Sequence, residues 1–293
     1  MTPVLQIGNE GWDVTLLPVD GAGRVHLGAL ADAMRDDTAL VTVMHANNEV
    51  GTVQDIAGIA NVAYARGALV HTDAAQSVGK LPVDVSTLGV VLLTVSGHKF
   101  YATKGVGALY VHHGTPVAPV TVGADHEHGL RPGTENVPAI IGLGEAAGLA
   151  RARLPAFETT LRRMRELLHR LLADGVPRLV VNGHAELRLP NTLNVSFPGV
   201  SGRELLRAVE HDVAASVGSA CHSGTGTVSG VLAAMGIGVP TRSGRGGAVD
   251  RPSDHRRRHS PRGAGVDHTL ARIEQGAVEE RGMERRQDNG TET

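Results

Sequence analysis

The sequence predicts an α/β fold organised around a parallel sheet. Two observations carry that prediction: short apolar runs rich in Val, Leu and Thr each stop abruptly at polar residues, and helical or turn segments separate them. The first run, 39–44, ends in His45-Ala46-Asn47-Asn48-Glu49. Residues 56–66 follow as a helix, with Asp55 placed as its amino-terminal cap. The second run, 67–72, ends in Asp73-Ala74-Ala75-Gln76-Ser77. The third, 90–95, ends in Ser96-Gly97-His98-Lys99, and a fourth strand is expected at 108–111. Further on, 138–173 is rich in Ala, Leu, Arg and Glu and reads as long helices leading into a second domain. Val176-Pro177 and Gly183 interrupt that pattern, and strands are expected at 179–181 and 193–197. Residues 202–209 read as a helix laying its apolar face on this smaller sheet.

In a parallel sheet the carboxyl ends of neighbouring strands lie side by side, so the polar groups that close the first three runs can share one crevice. Lys99 stands out among them. Lysines occur at Lys80, Lys99 and Lys104 within a total of 28 Lys and Arg residues, so lysine is not this chain's general surface charge. An amine can form a Schiff base and a guanidinium cannot. The alternative is a surface lysine that merely closes a strand. An aspartate, an amine and several neutral hydrogen-bonding groups suit a pyridine-type cofactor, the acid pairing with a protonated ring nitrogen while the lysine forms the imine.

The segments MHANNEVGTVQDI, HTDAAQSVGKLPVDV and SGHKFYATKGVGALYV, in that order, closely resemble the cysteine desulfurases and selenocysteine lyases of the class V aminotransferase group. HEHGLRPGTENVPAIIGLGEA, LPNTLNVSFPGV and SVGSACHSG extend the resemblance to about Met235. It implies the fold of fold-type I pyridoxal phosphate (PLP)-dependent transferases. Residues 1–137 would be the remainder of the PLP-binding large domain, and 138–240 the connecting helices and an incomplete small α/β domain carrying the cysteine loop. Residues 241–293 would be an atypical, disordered tail.

The same resemblance implies pyridoxal 5'-phosphate as cofactor and assigns roles to residues. Lys99 would form the Schiff base, Asp73 would pair with the pyridine nitrogen, and Gln76 would bond the phenolic oxygen. Ser96 and His98 would contact the phosphate, Asn48 would lie near the substrate and the phenolic side, and Thr134 would reach the phosphate of the other subunit's cofactor in a homodimer. Lys99, His98 and Cys221 would form the catalytic set. The implied reaction takes L-cysteine to L-alanine with a persulfide on Cys221, destined for a sulfur-acceptor protein as in iron–sulfur cluster assembly. Selenocysteine is the alternative substrate, and another PLP-dependent aminotransferase or lyase the alternative enzyme. A non-catalytic remnant or interaction protein is the alternative class.

The chemistry is coherent on its own terms. Electron flow out of a substrate needs a sink, and an acid such as Asp73 keeps a ring nitrogen protonated so that it accepts charge. Sulfur removal needs an acceptor, and a thiolate in the small, polar Gly218-Ser219-Ala220-Cys221-His222-Ser223-Gly224 segment is a suitable one. A single cysteine can also be a small buried hydrophobe.

Composition narrows the rest. A single cysteine excludes an intramolecular disulfide framework and fits a reducing cytoplasm, and a net charge of -2 gives no reason to expect nucleic-acid or membrane partners. No long apolar run or signal-like start is present. The 15 histidines come without metal-ligand spacing, and His126 and His128 around Glu127 read as a surface cluster before a metal site. Gly105-Val106-Gly107 reads as a turn into the fourth strand rather than a phosphate cradle.

Both ends depart from the family pattern. The family's upstream phosphate-binding turn and the histidine that stacks on the cofactor ring have no counterpart here, so weakened cofactor binding is expected. After Pro240 the family's substrate-carboxylate arginine segment and closing helix are not recognisable, and 241–293 is rich in Arg, Gly, Asp and His. A disordered tail, an arm for nucleic acid around Arg256-Arg257-Arg258, and a change of reading frame are the three readings of that stretch.

Overall fold

The computed structural model describes residues 2–217 and 229–237, with the backbone alone for 2–5 and for a strand at 268–272. These residues divide into two compact units. The first takes the described residues of Met1–Leu154, Gly183–Leu189 and Gly230–Gly238, and the second those of Pro155–Asn182, Pro190–Ser229 and Val239–Thr293. The first unit thus continues through Leu154, and two later stretches return to it.

The first unit opens with helices α1 (Thr2–Asn9) and α2 (Leu27–Ala33) and continues through strand β1 (Leu40–Met44) to helix α3 (Ile56–Tyr64). Strand β2 (Leu69–Asp73), the short helix α4 (Val85–Leu88), strand β3 (Leu92–Ser96) and strand β4 (Gly107–Val111) complete the sheet, in the spatial order β1-β2-β3-β4. β1, β2 and β3 run parallel, while β4 is antiparallel to β3 and closes one edge. The strand positions agree with the sequence reading to within two residues. Orientation at β4 follows from its short connection, since a parallel partner would need a crossover.

The sheet packs one face on helices. Val41, Val70 and Leu93 from that face join Ile56, Ile59, Ala60 and Ala63 of α3 and Leu30 of α2 in one buried cluster. The α3 residues follow the i, i+3, i+4, i+7 spacing of an apolar helix stripe. Asp55 caps the helix as expected, its carboxylate accepting from the Gly58 N–H at 2.9 Å. Asp84 caps α4 in the same way from Thr87, which holds its carboxyl below the usual range.

The loop after β1 is tied down from far along the chain. The Val53 N–H donates to the Leu187 carbonyl at 2.9 Å, the Leu189 N–H to the Gly51 carbonyl at 2.8 Å, and the His184 N–H to Thr52 Oγ1 at 3.0 Å.

Helix α5 (Val137–Gly175) is continuous, where several helices were expected, and Pro155 inside it coincides with the passage from the first unit to the second. Strands β5 (Val180–Asn182) and β6 (Thr192–Ser196) pair antiparallel in the second unit. Helix α6 (Gly202–Ala208) places Leu205 against Leu193, Val195 and Phe197, as its apolar spacing predicts. Helix α7 (Gly230–Ala234) belongs to the first unit and buries Leu232. Strand β7 (His268–Arg272) pairs antiparallel with β6. Backbone pairing with β6 supplies for those five residues what the side-chain pattern does not advertise.

Candidate active site

The register of the parallel strands sets Met44 of β1 beside Asp73 of β2, and Asp73 beside Thr94 of β3. Neighbouring strands stand about 4.8 Å apart. The three polar clusters that follow β1, β2 and β3 therefore emerge along one edge. The ends are locked together: the His45 N–H donates to the Asp73 carbonyl at 2.8 Å, and the Ala74 N–H to the Thr94 carbonyl at 3.0 Å.

At the end of β1, Asn47 organises the loop. Its side-chain oxygen accepts from the N–H groups of Glu49 at 2.8 Å and Val50 at 3.0 Å, leaving Asn48 exposed at the turn. At the end of β2, the Asp73 carboxylate accepts from the Ala75 N–H at 2.8 Å, which orients it at the start of the connection that also bears half-buried Gln76. At the end of β3, Ser96 is half-buried, and Gly97–Lys99 form a single tight turn with His98 exposed and Lys99 half-buried. Gly97 is required there, because a Cβ would stand 2.9 Å from the Val106 carbonyl oxygen. The turn of Gly105, at φ +84°, then leads into β4 as the sequence predicts.

The strand ends thus assemble Asn48, Asp73, Gln76, Ser96, His98 and Lys99. Thr134 lies elsewhere, exposed in the connection before α5. Cys221 falls outside the described residues. The segment around His126 is a tight turn in which Glu127 and His128 take left-handed backbone, at φ 48° and 58°. Among the described residues, no group of three or more His, Cys, Asp or Glu side chains could hold a metal ion, and no helix is long and apolar enough to cross a membrane.

Two histidines beside this edge were not singled out from the sequence. His71 spans three strands, Nδ1 lying 2.7 Å from Thr42 Oγ1 and Nε2 2.8 Å from Thr94 Oγ1. Burial lowers its pKa, while the Asp73 charge acts in the opposite sense. His45 is also held below its ordinary value by burial, and its Nδ1 is buried without a hydrogen-bond partner. The signal available in the sequence was position: His71 stands two residues before Asp73 and so shares its face of the strand.

An open α/β sheet that gathers an acid, an amine, hydroxyl, amide and imidazole groups at the carboxyl ends of its parallel strands belongs to a ligand-binding class of fold. The comparisons specify it further. The model of the aminotransferase class-V family matches residues 1–239, and the chain belongs to that family. It is similar to a cysteine desulfurase of Trichormus azollae, with 44% identity over 243 residues, covering 82% of this chain and 60% of the relative. A cysteine desulfurase IscS of Anaeromyxobacter dehalogenans (strain 2CP-C) is 46% identical over 230 residues, covering 78% of this chain and 57% of that protein. Among solved structures, a NifS-like protein matches with a TM-score of 0.73 at 34% identity, over 80% of this chain and 61% of that one. A structure described as SspA in complex with cysteine matches with a TM-score of 0.67 at 34% identity, over 80% and 65%. The chain therefore shares the fold of the NifS-like structures and spans about 60% of the length of the curated relatives it matches.

Proposed function

We propose that this chain carries the PLP site of a cysteine desulfurase and that the complete reaction converts L-cysteine to L-alanine. The observation that carries the reading is the placement of Asp73 and Lys99 at adjoining carboxyl ends of β2 and β3. The donor set fits the cofactor: a carboxylate for the ring nitrogen, an amine for the aldehyde, an amide for the phenolic oxygen, and a hydroxyl and an imidazole for the phosphate. Asp73, Lys99, Gln76, Ser96 and His98 fill those roles in order, with Asn48 on the substrate side.

Bound there, pyridoxal phosphate supplies an electron sink for bond cleavage at the substrate carbons. Asp73, oriented by the Ala75 N–H, would hold the ring nitrogen and favour its protonated form. Lys99 would hold the cofactor through its side-chain amine, which is also the group in the site suited to move a proton at the substrate. His98, exposed beside it, would hold the phosphate or move a proton at the substrate. The Cys221 thiolate takes the substrate sulfur: an S–S bond forms, the C–S bond breaks, and a proton completes alanine. The products are alanine and a Cys221 persulfide, which a sulfur-acceptor protein would consume.

Similarity to relatives named cysteine desulfurase, and to a structure described as containing cysteine, favours cysteine over selenocysteine. A homodimer in the cytoplasm completes the proposal. Its support is the exposed apolar run of Val137, Ile140 and Ile141 close after Thr134. The experiment is the visible absorption of the full chain with added pyridoxal phosphate, compared with Lys99→Ala. A Schiff-base band present only in the wild type, followed by alanine release that Cys221→Ala abolishes, supports the reading. The absence of a band refutes it for this chain.

A further inference from the structure

We propose that Lys80 is a positioning residue for Lys99, its buried ammonium holding the one-turn helix that presents the reactive amine. The inference rests on the reading of Lys99 as the cofactor-binding lysine. Lys80 is only 4% exposed, and its Nζ donates to the main-chain carbonyl of Lys99 at 2.9 Å. Burying an ammonium is costly unless strong hydrogen bonds replace its water. Here one of those bonds is made to the last residue of the turn Gly97–Lys99. The carbonyls that end a helical turn have no partner within it, and a cation is the complementary group.

The surrounding backbone is shaped for this contact. After β2 the chain curls through Ala74–Ser77, and the Lys80 and Leu81 N–H groups both donate to the Ser77 carbonyl, at 3.0 and 2.9 Å. Gly79 adopts φ +75°, and a Cβ there would lie 3.1 Å from the Phe100 Cβ, so residues 79–80 press directly on residues 99–100. Beyond Lys99, Phe100 and Ala102 both donate to the Gly97 carbonyl at 3.1 Å, and Tyr101 takes a left-handed φ of 72°. Backbone in that region persists where its surroundings hold it.

The choice of residue is informative as well. Where the chain otherwise uses arginine almost throughout, this position keeps a lysine. A compact point charge on a flexible stem reaches a single carbonyl inside a packed turn, whereas a planar fork is built for two parallel acceptors. The consequence is a mechanical link. The last residue of β2, Asp73, and the connection after it, with Gln76 and Lys80, put the acid, the amide and the grip on Lys99 in one short segment.

The test uses the full chain, with and without pyridoxal phosphate. In hydrogen exchange without cofactor, Lys80→Met should accelerate the Phe100 and Ala102 amides about tenfold or more while the α3 amides keep their protection. Unchanged exchange at Phe100 and Ala102 overturns the proposal. If Lys80→Met exposes all amides, the comparison passes to Lys80→Arg, judged by the same two amides against α3. With pyridoxal phosphate added, the Schiff-base band of Lys80→Met should titrate at a shifted pH and its dissociation constant should rise about tenfold. A band that titrates and binds as in the wild type also overturns it. A wild type without any band refutes the PLP reading instead, and the exchange result still decides whether Lys80 holds the turn.

Discussion

Replacing Gly97 by alanine would test whether the turn that presents Lys99 is set by steric fit. The new Cβ would lie 2.9 Å from the Val106 carbonyl oxygen, 3.0 Å from Val106 Cγ1 and 3.1 Å from Leu143 Cδ1. Val106 cannot simply retreat, because its carbonyl accepts the Gly97 N–H at 3.0 Å and β4 begins at the next residue. Overpacking of this kind costs ~1–3 kcal/mol, and we take about 2 kcal/mol because one of the contacts is backbone. For a unit of this size that corresponds to a fall of roughly 4–8 °C in melting temperature. Gly105→Ala is the control: it forces alanine to φ +84° but meets nothing within 4 Å. Its cost should be ~1–2 kcal/mol of backbone strain, felt outside the turn itself. Thermal unfolding and pyridoxal phosphate titration of the two variants separate the effects. Gly97→Ala should lose both stability and cofactor binding, and Gly105→Ala stability alone. Equal cofactor binding by Gly97→Ala and wild type would refute the steric argument.

Ile59→Ala removes a side chain that is 1% exposed beneath the sheet and should cost ~2–5 kcal/mol in chemical denaturation. Asp55→Ala removes the cap of α3 and should cost ~0.5–2 kcal/mol by the same measurement, with Asp55→Asn restoring most of it. Stability should also respond to pH through His45 and His71, whose folded pKa values lie below 6.5 because the imidazoles are buried. Above 6.5 both states are neutral and the contribution is complete. As pH falls from 6.5 toward the lower folded values, the unfolded chain binds the extra protons and stability is lost. Denaturation midpoints between pH 7.5 and 5, flattened by substituting both histidines, check this. Ile141→Glu, at a side chain 67% exposed, should lower the mass seen by analytical ultracentrifugation if the α5 surface joins two copies.

The parallel core was legible because β-branched and leucine-rich runs ending in polar residues have few other uses, and Asp55 announced its helix through an oxygen placed three residues before a free N–H. The single helix over 137–175 was read as several, because composition marks a helical stretch without saying whether it runs unbroken, and the turns flanking Pro155 continue it as one element. The return of 183–189 to the loop after β1 rests on backbone hydrogen bonds between residues more than a hundred positions apart, which no periodicity records. β7 is similar, since His268–Arg272 owes its strand to a partner rather than to its own composition. At the site, Asp73 and Lys99 were legible as groups that end strands. Lys80 was visible as one of few lysines, but its grip on Lys99 depends on a left-handed Gly79 that brings two separate turns together.

The loop that displays Asn48 is fastened by residues 183–189, which leave the ribosome long after the loop itself. Contacts of such long range close slowly and only after the intervening chain has been made. The loop bearing Asn48 is thus among the last parts of this edge to mature, and a nascent chain arrested before residue 183 would hold it by its local hydrogen bonds alone.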